Sequence, residues 1–90
     1  MKQTKIIDIL ANQSHISWSN WMKYLFELCE QQQDGTVIIP KILIERWKRQ
    51  INTSYEDLSL EEQSSDKLEA IKYIKLLETY FEEKYNQKIL

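Results

Sequence analysis

Apolar residues recur at helical steps over two long stretches, separated by a short β-branched run. Ile6, Ile7 and Leu10 open the first stripe, and Trp18, Trp21, Met22, Leu25, Phe26, Leu28 and Cys29 continue it at steps of three and four. Asn12, Gln13, Ser14 and His15 interrupt it with mediocre helix formers. Either one helix spans 3–31 or a short first helix stops near Asn12; because Leu10, Ser14, Trp18, Trp21 and Leu25 stay in phase, the single helix, bent at most, is the preferred expectation. Asp34-Gly35 then marks a turn, and the only glycine supplies a backbone that can turn left-handed. Thr36-Val37-Ile38-Ile39 is expected to be extended but too short to make a sheet.

Pro40 suits the opening turn of a further helix, where its missing N–H costs nothing. That helix is expected to turn Leu43, Ile44, Trp47 and Ile51 inward and Lys41, Arg46, Lys48 and Arg49 outward, and Asn52-Thr53-Ser54 ends it. Ser59 followed by Glu62 is a capping box, so the last helix should start near Leu60. From Leu68 its apolar residues Ile71, Ile74, Leu77, Phe81 and Tyr85, widened by Ala70, Tyr73, Leu76 and Tyr80, predict one broad buried face. Lys67, Glu69, Lys72, Lys75, Glu78, Glu82 and Glu83 are expected in water, and Asn86–Leu90 reads as a frayed end.

These elements make an all-α chain: one domain over 1–90, a compact bundle of three to four helices with one short extended segment near 36–39. Ninety residues lie near the lower limit for a self-sufficient core, so three Trp, five Tyr and two Phe must supply much of its area. Twelve basic against fourteen acidic side chains leave a net charge of −2, too little field to draw DNA, RNA or an anionic membrane. One basic helix in a net-acidic chain would bind DNA only feebly and with steep salt dependence. A single cysteine cannot form an internal disulfide and suits a reducing compartment; its place on the first stripe makes Cys29 a small core residue. No apolar stretch reads as a signal peptide or a membrane span, and the chain is read as cytoplasmic.

Two pieces of the chain resemble one family. His15-Ile-Ser-Trp18 matches the H-x-x-W on the first helix of the ryanodine-receptor repeat, or RyR domain. Tyr55-Glu-Asp-Leu58-Ser59-Leu-Glu-Glu62, then Asp66 and an apolar helix to Leu77, is similar to that domain's P-Y-x-x-L-[ST]-x-x-E-K-x-x-D. Together the matches span about residues 10–80. Trp18-Ser-Asn-Trp21-Met-Lys-Tyr-Leu-Phe26, Ile39-Pro40 and Glu45-Arg46-Trp47-Lys-Arg49-Gln50 look still more like the small stand-alone members carried by bacteriophages and prophages. Two departures stand out: Ser54 replaces the proline before the tyrosine, and Lys67 replaces the arginine common after the aspartate. The resemblance implies a compact helical binding module that takes an adenine-containing or cyclic nucleotide between aromatic side chains. For phage members it implies capture of nucleotide signals made by the defence systems of the bacterial host, in whose cytoplasm the chain would act.

The candidate ligand-binding residues are His15, Trp18, Arg46, Arg49, Tyr55 and Asp66. Trp18 is either part of the buried stripe or a platform on which a base stacks for about 1–3 kcal/mol. His15, one turn earlier, either fixes the loop near Tyr55 or bonds a ligand phosphate or hydroxyl. Arg46 and Arg49, three apart, suit a phosphate or diphosphate through their forked donors, unless Glu45, Glu56 or Asp57 neutralises them. Tyr55 closes the core or reaches a partner; Asp66 takes a pair of ribose hydroxyls or anchors His15. One His and one Cys make no metal centre, one glycine makes no phosphate loop, and no nucleophile–base–acid set is legible, so no catalysis, metal or cofactor is expected. Small size favours a homodimer or higher homo-oligomer. The competing class is a protein–protein interaction module that inhibits a host protein or joins phage assembly, using the five carboxylates between Glu56 and Asp66.

Overall fold

The computed structural model describes the backbone of residues 2–89 and the side chains of residues 5–84. Three α-helices dominate: α1 (Lys2–Leu28), α2 (Lys41–Ile51) and α3 (Leu60–Ile89), with a single turn of 3₁₀ helix at Tyr55–Asp57. The polar stretch Asn12–His15 does not interrupt α1. The helix ends at Leu28 rather than near 31 because Glu30–Gln31 (β1) leaves to pair antiparallel with Val37–Ile38 (β2), Glu30 opposite Ile38 and Gln31 opposite Val37. The short extended segment expected near 36–39 therefore does find a partner, forming a two-stranded hairpin. Its turn is closed by Gly35, at φ +91°, and by Asp34, whose Oδ1 accepts from the N–H and hydroxyl of Thr36 at 3.0 and 2.7 Å. Those two bonds hold the Asp34 carboxyl below its ordinary value.

α2 follows Pro40 directly, and its last turn is closed by side chains: Asn52 Nδ2 donates to the Lys48 carbonyl at 2.8 Å and Thr53 Oγ1 to the Arg49 carbonyl at 2.5 Å. α3 opens where the capping box requires. The Glu62 N–H donates to Ser59 Oγ, and the Ser59 N–H donates to Glu62 Oε1, both at 3.2 Å. Gln63 then ties the preceding loop down, its Nε2 within 3.0–3.3 Å of the carbonyls of Tyr55, Glu56 and Leu58. α3 is helical through Ile89; the side chains of Tyr85 and of the expected frayed end lie outside the described residues.

α1 and α3 run antiparallel, joined by polar side chains at the middle of their seam. Ser14 Oγ and the Tyr73 hydroxyl lie 2.9 Å apart, and Ser17 Oγ donates to Glu69 Oε1 at 2.6 Å. Toward one end of the seam Tyr80 is buried; α2 closes on the other end through Trp47, which meets Trp21 edge to face at 5.6 Å, and through Leu43, also buried with Cys29. Cys29 is thus the core residue the stripe implies.

The expected compactness is absent from the single chain. Its radius of gyration is 18.2 Å, against about 12 Å for a compact chain of this length. The broad apolar face of α3 is split: Tyr73, which reaches Ser14 of α1, and Leu76, Leu77 and Tyr80 are wholly or partly covered, whereas Leu68, Ile71, Ile74 and Phe81 are exposed. One helix can cover only one side of another, and α3 is apolar on two. For the same lack of a neighbour Ile51 is 80 % exposed rather than inward. Glu69, expected in water, sits half-buried in the seam, where Ser17 and Lys72 satisfy it.

Candidate functional site

The end of the α1–α3 seam covered by α2 opens into a cleft of about 1010 Å³, with walls from all three helices. α1 contributes Trp18, Trp21 and Tyr24, one turn apart on one side of the helix; α2 contributes Arg46, Trp47 and Gln50; the first turns of α3 contribute Ser59, Glu62, Asp66 and Glu69. Trp21 is wedged between Trp47 and Tyr24, both ring centroids 5.6 Å away, and so forms the aromatic floor. Trp18 is 59 % exposed and lines the cleft, with the His15 ring stacked beside it at 6.1 Å and 26°. Of the two readings of Trp18, membership of the buried stripe is thereby set aside.

The charges of the cleft are unequal in availability. Glu62 receives the Arg49 fork at both oxygens and the Ser59 N–H at one, which holds its carboxyl below the ordinary value and raises the Arg49 guanidinium further. Glu69 is held down chiefly by Lys72 at 2.7 Å and then by Ser17. Arg46, Glu61 and Asp66 line the cleft without an ion pair among the described residues. A ligand therefore meets one uncommitted guanidinium and two uncommitted carboxylates beside a flat aromatic rim.

Six residues were candidates from the sequence, and the fold separates them. Trp18, Arg46 and Asp66 come together in the cleft. Arg49 does not join Arg46: it turns to α3 and pairs with Glu62, not with Glu45, Glu56 or Asp57. Glu45 instead lies near Lys41 at 3.9 Å. His15 lies beside Trp18 but outside the cleft walls, its Nε2 3.5 Å from Ser19 Oγ; it is not anchored by Asp66. Tyr55 starts the 3₁₀ turn, is 44 % exposed and does not line this cleft. Ser17, Trp47 and Glu69 are wall residues that the sequence did not mark as site candidates, and Gln50 lines the wall beside Arg46. Ser17 and Trp21 share the phase of the first stripe, and Gln50 lies one turn from Arg46, so helical spacing alone carried a signal for them. Among the described residues no group of His, Cys, Asp and Glu could hold a metal ion, and no helix is long and apolar enough to cross a membrane. Comparison with protein-family models, with curated proteins and with solved structures finds no match to this chain.

Proposed function

We propose that this chain is a non-catalytic binding protein of the RyR-like phage type, whose cleft captures a nucleotide-derived signalling molecule in the host cytoplasm. The observation that supports the reading is the convergence of Trp18, Arg46 and Asp66, one from each helix, on one cleft. An indole at the rim suits a base, a free carboxylate suits the vicinal hydroxyls of a ribose, and a free guanidinium suits a phosphate. With Arg49 committed to Glu62, one fork remains, and Glu61 and Asp66 repel additional negative charge. The preferred ligand carries one or two phosphates beside its nucleoside rather than a triphosphate chain. Capture of this kind requires affinity and abundance but no turnover. His15, Tyr55 and Arg49 act behind the contact surface, holding Trp18, the loop and the capped end of α3.

The test is a melting-temperature screen of the purified protein against adenine nucleotides, ADP-ribose isomers and cyclic di- and trinucleotides, repeated for Trp18→Ala and Arg46→Ala. A ligand at a hundred times its Kd stabilises the folded state by about 2.7 kcal/mol, a shift of many degrees at this size. The expected result is such a shift with one class, lost in both variants while each still melts cooperatively. Cooperative melting with no shift for any of them overturns the reading.

One observation favours a second reading, an interaction module for a host protein: Trp18, Phe26, Ile51, Tyr55 and Leu60 are large apolar side chains left exposed. A stoichiometric host protein retained by an Arg46→Ala, Arg49→Ala double variant would support that reading over nucleotide capture.

A further inference from the structure

The accessible surface of the chain is 7726 Å². A compact monomer of 10.9 kDa exposes only about 5,600 Å², so roughly 2,100 Å² is in excess. That excess exceeds the approximately 800 Å² per partner of a standard interface and matches what obligate dimers bury. Part of the exposed apolar surface, at Leu68, Ile71, Ile74 and Phe81, lies on the side of α3 that faces away from α1 and from the cleft. At about 100° per residue, Lys67, Ile71, Ile74 and Glu78 form one seam, flanked by Leu68 and Leu77. Leu68 is 61 % and Ile74 53 % exposed, and Ile74, Leu77 and Glu78 line a shallow groove of about 460 Å³.

We propose that this outer face of α3 is the surface on which a second copy of the chain packs, helix against helix and antiparallel. The charges select both the occupant and its direction. Lys67 stands at one end of the apolar seam and Glu78 at the other, and neither has an ion-pair partner among the described residues. In a parallel pair each would meet its own like. In the antiparallel pair centred between Lys72 and Tyr73, Lys67 meets the Glu78 of the second copy and Ile71 meets Ile74, while Leu68 and Leu77 border opposite edges of the seam. The seam is thus self-complementary about a twofold axis, as an isologous interface must be. It also supplies the cover that the two-sided apolar pattern of α3 requires, and it leaves the cleft open, since Glu62, Asp66 and Glu69 lie on the opposite side of the helix.

Sedimentation of the purified chain from micromolar to about 100 µM tests this. The expected species is a dimer, twice 10.9 kDa, or an even-numbered assembly built from it. Ile71→Asp with Ile74→Asp places carboxylates in the apolar seam and raises the dissociation constant at least about 100-fold; both side chains are exposed in the single chain, so helical circular dichroism is retained. Lys67→Glu and Glu78→Lys each weaken association roughly tenfold, and combining them restores it. A wild-type monomer throughout the range overturns the proposal and leaves this face to a different protein. An oligomer indifferent to the double aspartate variant overturns the surface, and failure of the combined charge reversal to restore association overturns the antiparallel register. None of these readouts depends on whether the cleft binds a nucleotide.

Discussion

Replacing Ser17 with Ala removes one hydroxyl from the α1–α3 seam. That hydroxyl accepts from Gln13 Nε2 at 3.0 Å and donates to Glu69 Oε1 at 2.6 Å, the short distance of a charge-assisted bond. Such bonds contribute about 1.5–3 kcal/mol where water is excluded. The Glu69 side chain is still 45 % exposed, so water competes for its oxygens and the contribution falls to about 1 kcal/mol. Alanine is the better helix former by up to about 0.5 kcal/mol and offsets part of the loss. The net cost is then about 0.5–1 kcal/mol, or roughly 3–6 °C in Tm at this chain length. A double-mutant cycle with Glu69→Ala, at fixed protein concentration, separates the bond from propensity and should return a coupling of about 1 kcal/mol. The pH dependence has a definite sign. Lys72 and then Ser17 hold the Glu69 carboxyl below its ordinary value of 4.5, so this stabilisation is present above that value and is lost as pH falls through the lower, folded-state value. Asp34 and Glu62, also held down, titrate alike in wild type and variant and cancel from the cycle. The coupling should therefore be constant above about pH 5.5 and shrink toward pH 3. An additive cycle at neutral pH, or a coupling indifferent to acid, refutes the reasoning.

Three further outcomes follow from individual contacts. Ser59→Ala removes the acceptor for the Glu62 N–H and should cost about 1 kcal/mol, whereas Ser59→Gly should cost only a few tenths, both read from thermal melts. Gly35→Ala meets no atom within 4 Å but must hold φ near +91°, so its cost of about 1–2 kcal/mol is backbone strain; Gly35→Asn, which tolerates that region, should recover part of it in denaturant titrations. Leu43→Ala empties one of the few buried positions, and a loss of about 2–3 kcal/mol should appear as a lower urea midpoint at unchanged slope.

Local signals in the sequence were enough to specify the elements. The period of three and four between Ile6 and Leu28 made α1 continuous despite its polar stretch, Ser59 and Glu62 started α3 at Leu60, and Asp34-Gly35 set the turn. Each of these rests on interactions within a few residues, which a linear reading can see. Trp18, Arg46 and Asp66 were likewise legible as candidates, each from its own helix. Their convergence was not, because it depends on α2 folding back until Trp47 reaches Trp21. The placement of α2 chose Glu62 over nearer carboxylates for Arg49, and the placement of α1 drew Glu69 into the seam and left Ile71 and Ile74 outside it. Periodicity reports that α3 is apolar on a wide arc; only the position of α1 decides which part of that arc is already covered.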